Sequence, residues 1–163
     1  MLDIRLAGII HESTVNGAGI RRVFFSQGCT HNCKGCFNKH THSFESGSYY
    51  IIDELVEEVV ESSYLSGVTF SGGDPLEQPE EFTYFSKKLK EHGINIWCYT
   101  GYTWEEILKK DELKELISNI DVLVDGEFVV ELEDCNLLYR GSSNQRIIDV
   151  KESLNKNRVV LWK

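Results

Sequence analysis

The chain carries three closely spaced cysteines, Cys29, Cys33 and Cys36, in the run Gly28-Cys-Thr-His-Asn-Cys-Lys-Gly-Cys36. Three such thiolates can each hold one iron of a cubane cluster, and with no fourth cysteine nearby one iron would stay open to an external ligand. An open metal position indicates chemistry, whereas a closed one indicates a structural role. Gly28 and Gly35 would let the chain bend tightly around such a centre. The spacing therefore favours a reactive iron–sulfur cluster.

The same spacing is also compatible with a structural zinc site. Tetrahedral zinc would need one further ligand, and three histidines lie near enough in sequence to supply it: His31, His40 and His42. His31 could alternatively tune a cluster by hydrogen bonding or simply face water. The two remaining cysteines, Cys98 and Cys135, stand apart, and we predict that both are small buried residues without a functional role.

A second candidate site is the run Ser71-Gly72-Gly73-Asp74-Pro75, which follows a short strand-like segment and precedes a helix-like one. Ligands collect at such strand ends in α/β sheets. Paired glycines allow close approach of backbone groups, and the Asp74 carboxylate could meet a cation such as an amino group. Taken alone, however, Gly-Gly-Asp-Pro is equally an ordinary turn.

The elements that must position these residues alternate between strand and helix, which predicts the α/β class. Apolar residues at helical spacing predict helices over residues 52–60, 82–93 and 104–117, the last interrupted near Asp111. Strands are predicted over residues 23–28, 67–71, 94–100, 120–124 and 158–162. We expect the aromatic residues around Thr100 and Gly101 to include core residues.

Composition narrows the function further. A chain of 163 residues, 41% hydrophobic and 26% charged, suits one globular domain. A net charge of -9 argues against a nucleic-acid partner. No signal peptide or membrane-length apolar run stands out, so we expect a cytoplasmic protein without a membrane partner. Thiols stay reduced there, which favours metal ligands over disulfides for the five cysteines.

The cysteine motif together with Gly72-Gly73-Asp74-Pro75 resembles the radical S-adenosylmethionine superfamily. A narrower resemblance is to the activating proteins of anaerobic ribonucleoside-triphosphate reductases, which are glycyl-radical activases. Four stretches carry it: Val15-Asn-Gly-Ala-Gly19, Gly28-Cys-Thr-His-Asn-Cys-Lys-Gly-Cys-Phe-Asn38, Ser71-Gly-Gly-Asp-Pro-Leu76, and Val124-Asp-Gly-Glu-Phe128 with Arg140-Gly-Ser-Ser-Asn-Gln145. Many superfamily members place an aromatic residue just before the third cysteine, and here Gly35 fills that slot and Phe37 follows, as in the narrower family.

The resemblance implies a 4Fe-4S cluster with Cys29, Cys33 and Cys36 on three irons and S-adenosylmethionine on the fourth. Reductive cleavage of S-adenosylmethionine would give a 5′-deoxyadenosyl radical that abstracts hydrogen from a glycine of the reductase large subunit. The resemblance also implies that Gly35, Cys36 and Phe37 lie beside the adenine, that Gly73 lies near the amino group, and that a low-potential electron donor such as flavodoxin or ferredoxin takes part.

The implied fold is a single radical S-adenosylmethionine activase domain over residues 1–163. A full (β/α)8 barrel takes about 250 residues, so a partial, open (β/α) barrel is implied, and its open side could admit a protein loop. Three alternatives stay open: an activase of another glycyl-radical enzyme, a radical enzyme acting on a small molecule, and a structural zinc-binding protein. The sequence leaves the roles of Asp125, Arg140 and Arg146 undecided.

Overall fold

The computed structural model describes residues 2–36 and 39–163. These residues form one seven-stranded sheet in the order β3-β1-β2-β4-β5-β6-β7. The strand bounds are Asp3–Ser13 (β1), Arg21–Ser26 (β2), Ser48–Ile51 (β3), Gly67–Gly72 (β4), Ile96–Tyr99 (β5), Val122–Asp125 (β6) and Arg146–Asp149 (β7).

The four central strands β2, β4, β5 and β6 run parallel to one another. The outer strands are antiparallel, with β1 paired to β2 and β3, and β7 paired to β6. The carboxyl ends of the four parallel strands therefore meet at one edge of the sheet. Within the described residues the sheet stays open, with β3 and β7 at its two margins.

In the described part of the chain, five α-helices cover one face of the sheet, and their bounds are Ile52–Glu61 (α1), Pro79–Glu91 (α2), Trp104–Ile107 (α3), Asp111–Ile117 (α4) and Val150–Lys156 (α5). Alternate strand residues such as Phe24, Phe70 and Leu123 pack against them in the main core. Thr103 and Glu106 form a capping box that starts α3. The break before α4 lies at Lys110, whose backbone is extended. No helix in the described part of the chain is long and apolar enough to cross a bilayer.

The opposite face of the sheet carries a smaller aromatic cluster, in which Trp97 contacts Tyr139 and Trp162 edge to face. Beside it, the buried Arg21 guanidinium donates to the Thr69 hydroxyl at 3.0 Å and to the Ala18 carbonyl at 2.9 Å. Burial lowers the pKa of Arg21 to about 10. Arg21 thereby fixes the segment that leads from β1 into β2 across this face.

The structure confirms the α/β class, the three predicted helical stretches and the interruption near Asp111. The predicted strand at 158–162 is wrong: this segment contributes only an isolated bridge between Leu161 and Ile148. The sheet margin is formed instead by β7, followed by α5, neither of which was predicted. The strands β1 and β3 were also missed, because charged residues interrupt the first and the second spans only Ser48–Ile51.

Candidate metal centre

A cleft of about 650 Å³ opens where the four parallel strands end. Its walls bring together residues that lie far apart in sequence. They include the three clustered cysteines, the glycine pair at the end of β4 and the turn after β5: Cys29, Cys33, Cys36, Gly72, Gly73, Thr100 and Gly101. The parallel arrangement explains this convergence, since each segment follows the carboxyl end of a neighbouring strand.

The cysteine loop, residues 27–36, leaves β2 through Gly28, whose φ of +112° favours glycine. A Cβ there would come within 2.6 Å of the Phe44 ring. The Gly28 amide donates to Thr41 O at 2.6 Å, and the Cys29 amide donates to His42 O at 3.1 Å. The loop is therefore held at its start by the backbone of residues 41 and 42, and its three cysteines are half-buried.

The glycine pair Gly72-Gly73, at the end of β4, packs directly on the cysteine loop. The Gly73 amide donates to Ser26 O at 2.8 Å, and the Asp74 amide donates to Gly28 O at the same distance. A Cβ on Gly73 would come within 2.4 Å of Gly28 O. Glycine is thus required at this position because two backbone segments meet there, and Gly73 also lines the cleft.

The Asp74 carboxylate is fully buried. Its Oδ1 accepts from the Leu76 amide at 3.0 Å, and its Oδ2 accepts from the Gly101 amide at 2.9 Å. The Thr100 hydroxyl donates to the same carboxylate, and His31 Nε2 lies 2.7 Å from Oδ2. Asp74 therefore organises the turn after β5 and the cysteine loop.

His31 lies between two carboxylates, with Nε2 on Asp74 and Nδ1 3.1 Å from Glu127 Oε2. Burial lowers the pKa of His31, but the hydrogen bond and charge of Asp74, together with Glu127, outweigh it and leave the pKa raised. Both ring nitrogens of His31 are thus engaged with carboxylates, and a zinc ion bound by His31 would have to replace one of these two contacts.

Burial raises the pKa of the Cys29 thiol to about 12. The pKa of Cys33 is also raised, first by burial and then by Glu127, whose Oε2 lies 3.9 Å from the Cys33 sulfur. Without metal these two cysteines are thus neutral thiols near pH 7. Metal binding must displace their protons.

The ligand atoms of Cys29, His31 and Asp74 lie within 4.8 Å of one another, so among the described residues this group could hold a metal ion. The three clustered thiols do not form such a close group. Tetrahedral zinc with bonds of about 2.3 Å would bring its sulfurs within about 3.8 Å of one another. A cubane instead spreads three thiolates over three separate irons.

The positions predicted to contact a cofactor are distributed unevenly. Cys36 and Gly73 line the cleft. Gly35 has a φ of +76° in the turn between Cys33 and Cys36, and a Cβ there would lie 3.1 Å from Val130. Phe37 lies outside the described residues. The contacts of Gly35, Cys36, Phe37 and Gly73 with a cofactor therefore stay predictions.

Asp125, Arg140 and Arg146, whose roles the sequence left undecided, have different surroundings in the structure. Arg146 donates from Nη2 to Asp125 at 2.5 Å and to Glu105 at 2.9 Å, and these hydrogen bonds raise its pKa. Asp125 also accepts from the Trp104 amide at 2.8 Å, so it anchors the start of α3. Both Asp125 and Arg146 are thus engaged within the protein. Arg140, in contrast, lines the cleft while donating to Gln145 O at 2.6 Å.

Cys98 is buried, as predicted. The prediction for Cys135 is wrong: it is exposed and lines the cleft, because it lies in the irregular segment between β6 and β7. The same segment contributes Leu138 and Tyr139 to the cleft wall, a role that sequence reasoning missed. Val15 also lines the cleft, and this role was missed. The motif Val15-Asn-Gly-Ala-Gly19 was the sequence signal that could have indicated it.

Comparison with known proteins agrees with this site. Residues 15–148 match the family described as a 4Fe-4S single cluster domain. This match defines the class of the chain as a protein with an iron–sulfur cluster domain, and the cysteine-lined cleft is the place in the structure that suits such a cluster.

Three curated relatives carry one and the same name, anaerobic ribonucleoside-triphosphate reductase-activating protein. The relative from Haemophilus influenzae is 37% identical, covering 82% of this chain and 90% of its own length. That from Vibrio cholerae is 38% identical, with 82% and 90% covered. That from Enterobacteria phage T4 is 36% identical, with 82% and 86% covered. The chain belongs to the family of anaerobic ribonucleoside-triphosphate reductase-activating proteins.

Proposed function

We propose that this chain activates an anaerobic ribonucleoside-triphosphate reductase by forming a glycyl radical on its large subunit. One observation carries the proposal: the three clustered cysteines and the Gly72-Gly73 turn line one cleft at the carboxyl ends of adjacent parallel strands. A structural zinc-binding protein, the alternative, would not need the clustered cysteines and the Gly72-Gly73 turn to share a cleft. The names of the family relatives describe activation of such a reductase.

The whole chain, residues 1–163, acts as a single radical S-adenosylmethionine activase domain with a partial, open (β/α) barrel. Helices on one face of an open sheet and a cleft on the carboxyl edge support this assignment. A closed barrel would surround its substrate, whereas an open one leaves room for a segment of another protein.

Cys29, Cys33 and Cys36 would hold the cluster, each through its thiolate after loss of a proton. When bound, a reduced 4Fe-4S cluster supplies one electron to the sulfonium of S-adenosylmethionine, whose sulfur–carbon bond breaks to give methionine and a 5′-deoxyadenosyl radical. Gly73 would contact the amino group of S-adenosylmethionine, while Gly35, Cys36 and Phe37 would lie beside its adenine.

The substrate would be a backbone glycine of the reductase. The radical takes the hydrogen atom from the glycine Cα, which yields 5′-deoxyadenosine and leaves the unpaired electron on the protein. Two strongly exposed apolar residues, Val15 at 73% and Leu138 at 72%, line the cleft and could contact the entering segment. Excluding water with such contacts protects a radical from side reactions.

The electron would come from a low-potential donor such as flavodoxin or ferredoxin, and the reaction would take place in the cytoplasm. The net charge of -9 disfavours nucleic acid as a partner. The described helices include none able to span a membrane.

The experiment that tests this function combines anaerobically reconstituted protein, a chemical reductant, S-adenosylmethionine and the reductase. We expect a glycyl-radical signal in the electron paramagnetic resonance spectrum together with stoichiometric 5′-deoxyadenosine. A Cys33→Ala protein treated identically is the matched control and should give neither. A radical that forms only on a different glycyl-radical enzyme would reassign the partner, and stoichiometric zinc without iron after anaerobic reconstitution would overturn the proposal.

A further inference from the structure

The ring of His31 lies in a small pocket formed by four other residues. Its nitrogens lie 2.7 Å from Asp74 Oδ2 and 3.1 Å from Glu127 Oε2. Its ring packs edge to face with the ring of Tyr102 at a centroid distance of 4.7 Å. On the remaining side, a Cβ on Gly101 would approach the ring to 2.6 Å, so only glycine leaves room for it. We call this arrangement the His31 clasp.

The clasp connects loops that follow four neighbouring strands. His31 belongs to the cysteine loop after β2, and Asp74 follows β4. Gly101 and Tyr102 follow β5, and Glu127 follows β6. A single side chain therefore ties the cysteine loop to each of the three other loops that form this end of the cleft.

The burial of the clasp makes it costly to break. The Asp74 side chain is 0% exposed and the His31 side chain 12% exposed. Removing the ring would leave a buried carboxylate without one of its donors, which carries a desolvation penalty. The exposed Thr30 hydroxyl, bonded to Glu77 at 2.8 Å, offers a much weaker tether for the same loop.

The loop changes direction beside His31. Asn32, its neighbour, has a φ of +50°, in the left-handed region that asparagine adopts more readily than most residues with a Cβ. Asn32 lies between Cys29 and Cys33, so relaxation at this residue would change the separation of two of the proposed cluster ligands.

We propose that His31 is a positioning residue that holds the cysteine loop in its cluster-binding conformation before any iron is present. The inference rests on the proposed function in one respect, since it takes this loop to be the cluster site. The clasp acts through geometry: it fixes the backbone between the ligand cysteines, and none of its members needs to touch iron.

Three variants separate the parts of the clasp. His31→Ala removes both carboxylate contacts. His31→Gln can return an amide nitrogen towards Asp74 and should therefore retain part of the function. Gly101→Ala keeps His31 but places a methyl group against its ring. His92→Ala is the control, because His92 is an exposed histidine at the end of α2.

The first measurement is amide hydrogen exchange on the metal-free full chain. We expect exchange in residues 28–36 to rise at least about tenfold in His31→Ala, since a hydrogen bond to a buried charge is lost. His31→Gln should show a smaller rise and Gly101→Ala a rise like that of His31→Ala. Exchange in β5 and the melting temperature should change little, which separates loop positioning from general destabilisation.

The second measurement is the rate of iron incorporation under anaerobic reconstitution, which should fall in the same order as loop protection. Equal exchange of residues 28–36 in His31→Ala and His92→Ala would overturn the proposal, as would faster exchange with unchanged iron uptake. Should His31→Ala fail to fold, His31→Gln and Gly101→Ala decide by the same criteria. Loop exchange in the metal-free chain is independent of radical chemistry, so failure of the proposed function would leave this result standing.

Discussion

The backbone amide of Asp74 donates a 2.8 Å hydrogen bond to the carbonyl oxygen of Gly28. This bond joins the turn after β4 to the residue that precedes the first clustered cysteine. The proposed cofactor contact at Gly73 and the proposed cluster ligand at Cys29 therefore share one backbone junction. Displacing either segment should disturb both.

Gly73→Ala tests that junction. The new Cβ would lie 2.4 Å from Gly28 O and 2.6 Å from Thr41 O, and neither backbone atom can swing aside as a side chain does. We expect a loss of about 1–3 kcal/mol in the free energy of unfolding, together with reduced iron content after reconstitution. Gly8→Ala is the control, since a Cβ there meets no atom within 4 Å. Normal iron content in Gly73→Ala would show that the junction tolerates expansion.

We expect some of the cysteines to bind the cluster and the others not to bind it. Anaerobic reconstitution should load about four irons per chain, as a cubane requires. Replacing Cys29, Cys33 or Cys36 by Ala should remove the cluster, whereas Cys135→Ser should keep it because Cys135 lies on a different segment of the cleft wall. Iron and sulfide analysis with the visible absorption spectrum measures both outcomes. Cluster loss in Cys135→Ser would add a fourth ligand to the assignment.

Much of this site could be predicted from the sequence because its signals are local. The thiol spacing of Cys29, Cys33 and Cys36 and the glycine pair at a strand end are short motifs. The parallel order of the strands then brings these motifs to one edge. Helices α1 and α2 likewise follow from their apolar periodicity.

The rest depends on contacts between distant segments. Asp74 meets Thr100, 26 residues away, and His31 meets Glu127, 96 residues away, and no local pattern encodes either contact. The exposure of Cys135 depends on the path of an irregular segment. The β7–α5 unit was missed because the strand is short and begins with the charged Arg146.

Arg146 should stabilise the fold in a pH-dependent manner. Removing it in Arg146→Ala leaves the buried Asp125 without its cation, and we expect a loss of about 2 kcal/mol at pH 7, less than for a fully buried pair because Arg146 is partly exposed. The Arg146 hydrogen bond lowers the pKa of Glu105 below its usual 4.5. A carboxyl group whose pKa is lowered by folding stabilises the folded protein at pH values above its usual pKa. This stabilisation is lost as the pH falls through the lowered pKa of the folded protein.

The difference in unfolding free energy between the native protein and Arg146→Ala should therefore narrow below pH 4.5, the usual pKa of Glu105. Urea denaturation at several pH values measures it. Lys87→Ala is the control, since its ion pair with Glu115 is exposed on both sides and should contribute about 0.5 kcal/mol or less. If the difference in unfolding free energy stays constant across the acidic range, the ion pair with Glu105 does not contribute to the stabilisation by Arg146.

The most direct test of the central claim follows the hydrogen atom. The reductase is prepared with glycine deuterated at Cα and mixed without oxygen with this protein, reductant and S-adenosylmethionine. The account predicts that mass spectrometry detects singly deuterated 5′-deoxyadenosine. Its amount should rise in proportion to the glycyl-radical signal. Unlabelled 5′-deoxyadenosine accompanying full radical formation would contradict direct abstraction from the reductase glycine.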